Sequence, residues 1–258
     1  MKSNVDFLVI GGGWYGAFYV RQLLRLLRGT SRVGLGRLHV VDHDTDCLVK
    51  REFKELIEAP NSPIVFHHRD WKKFLAEYFE ELLLRADRGE EIQDQYAPPC
   101  LAPHILLELF LEKAQKDIPH LTLKSLPLDS SFQTPVDMAL PGGARALSFA
   151  TWICPYSCIE PPTCPHTRGP KSWDMKTTLE RMKEKKEGVF AGPVPVDSLH
   201  VFQCLHYAMG VGTIPMRSVV EEYLHFQEVM CVPGTHLSVV ATVSSCHGLV
   251  GLVEAKNG

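Results

Sequence analysis

A short apolar run, Phe7-Leu8-Val9-Ile10, meets Gly11-Gly12-Gly13-Trp14-Tyr15-Gly16, and the chain then turns amphipathic. Ala17, Val20, Leu23, Leu24 and Leu27 recur at helical spacing, with Arg21, Arg25 and Arg28 between them. Few folds accept that order. A continuously apolar, β-prone run suits a strand covered on both faces of a parallel sheet. Spacing by three and four residues puts the next apolar set on one helix face. A second run, Leu38-His39-Val40-Val41, ends at Asp42. The segment therefore reads as strand, glycine turn, helix and strand, with the glycine-bearing stretch 28–37 as a lengthened connection.

Gly11, Gly13 and Gly16 match G-x-G-x-x-G in the context that gives the pattern meaning, after a strand and opening a helix. Gly11 permits the tight turn, Gly13 lets backbone approach a pyrophosphate without a Cβ, and Gly16 lets helix and strand pack closely. The helix start adds unpaired N–H groups and partial positive charge. Asp42 is placed to accept hydrogen bonds from the adenosine ribose hydroxyls, and its charge would repel a 2′-phosphate. The pattern thus predicts NAD(H) rather than NADP(H), with Trp14 and Tyr15 inside the turn as contacts and optical reporters. Asp42 lies further on than the roughly 20 residues usual for this fingerprint; looping out 28–37 accounts for the excess. The alternative is that the same glycines form only a tight βα turn that binds nothing.

The segments FLVIGGGWYGAFYVRQLL and LHVVDHDTDCLVK resemble the NAD-binding domain of the TrkA-N type, found in regulators of potassium uptake. Gly11, Gly13, Gly16 and the acid-x-acid pair Asp42 and Asp44 carry the resemblance, which spans the first quarter of the chain. It implies a Rossmann-type fold, Asp42 on the ribose, and Asp70 (in FHHRD, after a third strand) on the adenine side. Arg69-Asp70 stands where that family usually has Gly-Asp. From about residue 90 onward the sequence does not follow the family, so no potassium role is carried over.

Further along, Pro63–Phe66 suggests a third strand. Trp71, Phe74, Leu75, Tyr78, Phe79, Leu82 and Leu83 then trace one face of a helix. Pro103 suits the first position of another helix, carrying Ile105, Leu106, Leu109 and Phe110. From about 121 the texture changes. Strand-like runs at 121–123, 146–153, 200–205 and 237–243 accompany a helix over 216–230, and Gly210 and Gly212 read as a strand-to-helix turn ahead of Pro215. Strands alternating with helices predict an α/β fold, a Rossmann-like and mostly parallel sheet with helices on both faces. Residues 1–120 form the expected dinucleotide-binding region and 121–258 a Cys/His-bearing α/β region; one continuous domain is equally compatible.

Charge narrows the functions. With 27 Lys+Arg against 30 Asp+Glu the net charge is −3, no footprint for nucleic acid. No run approaches the ~18 apolar residues of a membrane span. The N-terminus lacks a signal-peptide pattern, so a cytoplasmic protein is expected, and its eight cysteines should be thiols or ligands rather than disulfides.

Three of these cysteines follow predicted strands: Cys154, Cys204 and Cys246, the last two with His206 and His247 beside them. If those strands are parallel neighbours, their ends share the edge where α/β proteins bind ligands. Cys154, Cys158, Cys164 and His166 lie in a proline-rich loop spaced C-x3-C-x5-C-x-H. With Cys204 and Cys246 they form a candidate ligand set for zinc or an iron–sulfur cluster. Cysteines are also ordinary small core residues, and this spacing matches no common metal pattern. His206 and His247 are the candidate proton carriers. Glu160 and Arg168 flank the loop, as an anion-binding pair or a plain salt bridge. No G-x-S-x-G, P-loop or H-E-x-x-H occurs. The reading is an NAD(H)-binding protein, an oxidoreductase on a small-molecule substrate; the alternative is a non-catalytic nucleotide sensor acting through a partner protein.

Overall fold

Phe7, Leu8, Val9 and Ile10 are all buried, as a strand paired on both sides requires. The computed structural model describes all residues except 1–2, 29–32, 99–103, 129–130, 156 and 193. The chain begins β1 (Ser3–Ile10), α1 (Trp14–Leu23), β2 (Val33–Asp42), α2 (Leu48–Glu52), α3 (Lys54–Glu58), β3 (Ile64–His68) and α4 (Trp71–Asp87). It continues β4 (Gln95–Ala97), α5 (Ile105–Asp117), β5 (Leu121–Leu126), β6 (Val136–Ala139), β7 (Arg145–Ser148), α6 (Met175–Lys185) and β8 (Ser198–Gln203). Last come β9 (Leu205–Ala208), β10 (Val211–Pro215), α7 (Met216–Met230), β11 (Gly234–Val243) and β12 (His247–Asn257). The fold is α/β in two units: Met1–Ile105 with Leu205–Val220, and Leu106–Cys204 with Glu221–Gly258. Among the described residues, no helix is long and apolar enough to cross a membrane.

The first unit holds a sheet in the order β3-β2-β1-β4-β10-β9. Its first four strands are parallel, and β10 and β9 are added antiparallel beyond β4. β1 therefore sits between β2 and β4, where successive crossovers diverge and α/β sheets open a crevice at the strand ends. Phe7, Val9, Ala17, Val20, Leu23 and Val40 form part of its core. Burying one of the larger of these side chains, such as Leu23 or Phe7, is worth about 1.5–3 kcal/mol. Asp70 caps α4 by accepting the Lys73 amide at 3.0 Å, and of the predicted face Phe74, Leu75, Phe79 and Leu82 are buried while Trp71, Tyr78 and Leu83 are half-buried.

Three expectations change here. The stretch 28–37 is not a looped-out insertion, because β2 begins at Val33. The distance to Asp42 is taken up by strand, with a register shift between Val5 and Phe7. There Asp6 accepts the Arg37 amide at 2.7 Å, and a Cβ at Gly36 would overlap the same carboxylate. Second, Met209 and Gly210, both at positive φ, turn the β9–β10 hairpin instead of leading into a helix; Pro215 closes β10 and α7 starts after it. Third, the run 200–205 is divided, since β8 ends at Gln203 and Leu205 opens β9 in the other sheet. The helix start proposed at Pro103 lies outside the described residues.

The second unit's sheet runs β6-β7-β12-β11-β8, with β5 also paired to β12. Only β8 and β11 are parallel, so the mostly parallel character belongs to the first unit alone. Met175, Leu179 and Met182 of α6 form one core with Val239, Ala241 and Val250. Strand 146–153 shrinks to β7, and past it the Phe149 amide bonds to the Cys246 carbonyl at 2.9 Å.

Candidate functional site

At the end of β1 the Gly11 backbone takes φ +89°, a conformation glycine adopts without a Cβ penalty, and its amide bonds to Val41 O at 2.8 Å. A Cβ at Gly11 or Gly13 would meet nothing within 4 Å, whereas one at Gly16 would run into the Gly11 carbonyl. The two roles are thus physically separate. Gly16 is required by packing, and Gly11 and Gly13 border open space at the N-terminus of α1. The Gly12 amide donates to Asp42 Oδ2 at 2.5 Å, and the Asp44 amide donates to Asp42 Oδ1 at 2.8 Å. Asp42 is therefore turned toward the glycine turn. Trp14 and Tyr15 are exposed, and Trp14 stacks on Phe18. Because β1, β2 and β3 are parallel, Gly11, Asp42 and Asp70 all lie at or just past strand ends on one edge; the Arg69 amide bonds to Asp42 O at 3.1 Å. Asp70 spends one oxygen on its helix cap.

His206 belongs to this unit, where its Nδ1 lies 3.1 Å from Gly210 O and closes the β9–β10 hairpin. His247 belongs to the other unit, with Nδ1 2.9 Å from Ser148 Oγ. Burial lowers the His247 pKa against the opposing pull of Glu160.

In the second unit β7, β8 and β11 run the same way and end on one edge, but β12 separates β7 from β11, so of the three cysteine-ended strands only β8 and β11 are parallel neighbours. Cys204 and Cys246 follow β8 and β11; Cys154, Cys158, Cys164 and His166 occupy the loop between β7 and α6. At the centre is Glu160, at φ 48°. Its carboxylate accepts from Ser244 Oγ at 2.6 Å, the Ser245 amide at 2.9 Å and Ser245 Oγ at 2.5 Å. Lys171 Nζ donates to Ser245 Oγ at 2.6 Å and to the Glu160 carbonyl at 3.0 Å. Burial pushes the Glu160 carboxyl up, but the serine hydrogen bonds and the Lys171 charge outweigh it and hold the group below the usual carboxylate range. Glu160 is thus held by serines rather than by Arg168, whose amide bonds to Cys164 O.

The thiols differ in chemistry. Burial, with the Glu160 charge added, pushes Cys204 up to about 12. Burial also raises Cys154 and Cys246, and Trp173 Nε1 donates to Cys246 Sγ at 3.3 Å. Cys164 goes the other way, because the Thr167 amide, and then the His166 amide, favour its thiolate. His166 stacks on Trp152 at 4.5 Å. A cavity of about 510 Å³ lies beside this loop, lined by Phe149, Lys171, Trp173, Asp174 and Arg181 among others. The structure does not gather the candidate metal set into a ligand sphere. Among the described residues, the one group of three with ligand atoms all within 4.8 Å is His200, Glu222 and His225.

Sequence reasoning assigns no site role to Ser244, Ser245, Lys171 or that His–Glu–His group. Glu222 and His225, an E-x-x-H on a predicted helix, were a usable signal; the serines carry no spacing that marks them. A family described as "Uncharacterized protein, C-terminal domain" (AF_1314_C) matches residues 104–256. No curated protein and no solved structure matches the chain. The match takes in the Glu160 edge and the His–Glu–His group but not the glycine turn. It spans more than half of the chain, and the protein belongs to this family.

Proposed function

We propose that the protein binds NAD(H) at the glycine turn of its first unit and works as an oxidoreductase. One observation carries the reading: Asp42 is fixed over the turn by the Gly12 amide while Gly11 and Gly13 face open space. Asp42 gives Oδ2 to the turn and Oδ1 to the Asp44 amide, and a carboxylate that accepts two hydrogen bonds has lone pairs left for two ribose hydroxyls, while a backbone bare of Cβ atoms admits a diphosphate. The start of α1 contributes amide dipoles. When bound, the nicotinamide supplies or accepts a hydride.

The experiment is a titration of the full chain with NADH, NADPH and ADP-ribose, following Trp14 and Tyr15 fluorescence. Saturable binding of NADH and ADP-ribose, with NADPH weaker by about 10-fold or more for want of a partner to its 2′-phosphate, is the expected result. No saturable response to either NADH or ADP-ribose overturns the reading. Binding without turnover across a dehydrogenase substrate screen assigns the protein to nucleotide sensing instead of catalysis.

A further inference from the structure

We infer that His200, Glu222 and His225 form a binding site for a divalent first-row transition metal, zinc being the best fit. The inference does not depend on the nucleotide reading. Glu222 and His225 lie three residues apart on α7 and so share one helix face. His200 comes from β8, with its side chain fully buried against Phe110 and Phe226. The three ligand atoms lie within 4.8 Å of one another, and His200 Nδ1 is 2.8 Å from Glu222 Oε2. Tetrahedral zinc, with bonds of about 2.0–2.1 Å, needs its donors ~3.3 Å apart, so seating the ion means opening that pair slightly and bringing the rest of the group, all within 4.8 Å, to the same spacing.

The donor set and its surroundings both point to a metal. Two imidazoles and one carboxylate leave a fourth position for water or substrate, the pattern of open zinc sites. The other ring nitrogen of His200, Nε2, is 2.9 Å from Ser198 Oγ, which is 2.5 Å from Ser238 Oγ. Both serines are fully buried. An outer partner on the far ring nitrogen is what orients a ligating histidine. Without metal, Nδ1–H donates to Glu222 and Nε2 accepts from Ser198; on binding, the ring changes tautomer, one proton passing from Nδ1 to Nε2, and the Ser198 hydroxyl accepts from Nε2–H and turns its own proton to Ser238 Oγ. His225 is exposed, so the group is open to solvent on one side. Lys183 is a nearby cation that works against the ion.

The test is equilibrium dialysis of the full chain against Co²⁺, with visible spectra of the complex. The expected result is one Co²⁺ per chain, d–d bands typical of nitrogen and oxygen donors, and no thiolate charge-transfer band. His225→Ala, at an exposed position, and the isosteric Glu222→Gln should keep the thermal melt of metal-free protein and weaken binding by about 10-fold or more. Ser198→Ala should cost about 10- to 100-fold in affinity through the loss of the outer partner. The inference is overturned by the absence of saturable binding, by unchanged affinity in the Glu222 and His225 variants, or by thiolate bands, which would put the metal on cysteines.

Discussion

The backbone amide of Gly12 and Oδ2 of Asp42 are 2.5 Å apart, joined across thirty positions of chain. That bond sets the spacing between turn and acid, which the separation in sequence could not. It also makes Asp42 part of the turn's own structure, so its removal should be felt in stability as well as in binding. For Asp42→Ala we expect NADH affinity to fall about 10- to 100-fold and stability to drop by about 1–2 kcal/mol, since hydrogen bonds to a charged group are worth more than neutral ones. Fluorescence titration and urea melts measure the two effects separately.

Two glycines of one turn should respond in opposite ways. Gly16→Ala puts a Cβ into the Gly11 carbonyl and should destabilise by about 1–3 kcal/mol, the range for overpacking. Gly13 has φ −73° and open space around it, so Gly13→Ala should melt within about 1 kcal/mol of the parent yet bind NADH poorly. Equal loss of stability in both would contradict the assignment of roles.

His39 Nδ1 and His67 Nε2 are 2.9 Å apart, and burial, the neighbouring His39 and Arg69 bring the His67 pKa down from 6.5 to about 4. The unfolded chain then takes up protons that the folded one refuses. The associated stability is intact above pH 6.5 and is lost as the pH falls toward 4. His67→Gln should flatten that slope in a series of melts across the interval.

The depressed Glu160 carboxyl has an acid limb of its own. Its contribution is complete above the ordinary carboxylate pKa of about 4.3 and disappears as the pH drops through the lower folded value. Glu160→Gln should therefore cost about 1–3 kcal/mol at pH 7, with the gap to the parent closing in acid. A gap that stays constant down to the acid limb would mean the carboxylate charge plays no part.

Alkylation should sort the thiols. Cys231 is exposed, whereas Cys204 is pushed up to about 12 by burial. Iodoacetamide at neutral pH followed by peptide mass mapping should modify Cys231 early and Cys204 only in denaturant.

Much of the first unit could be read from local pattern, because each of its signals is short-range. Four apolar residues, three spaced glycines and an amphipathic face are confined to neighbouring turns of chain. The same holds for α4, whose buried face follows the spacing from Phe74 to Leu82. What stayed hidden is long-range. Pairing of β10 with β4 joins Ile214 to Tyr96, and nothing in either segment marks the other. The break at Cys204 is equally silent: one stretch serves two sheets, and at the break the Cys204 amide donates to Val243 O. The cysteines drew attention by rarity, while Glu160, the residue that organises their edge, depends on two ordinary serines whose position follows from the end of β11.

The return of 205–220 to the first unit has a consequence for synthesis on the ribosome. Residues 106–204 must all be translated before β10 can cover β4. Until then the growing polypeptide carries a bare strand border, the kind of surface that invites mispairing with other chains. Expression yield should consequently track how well that border is shielded during elongation, and a gene cut near codon 120 should give insoluble product even though the glycine turn it encodes is complete.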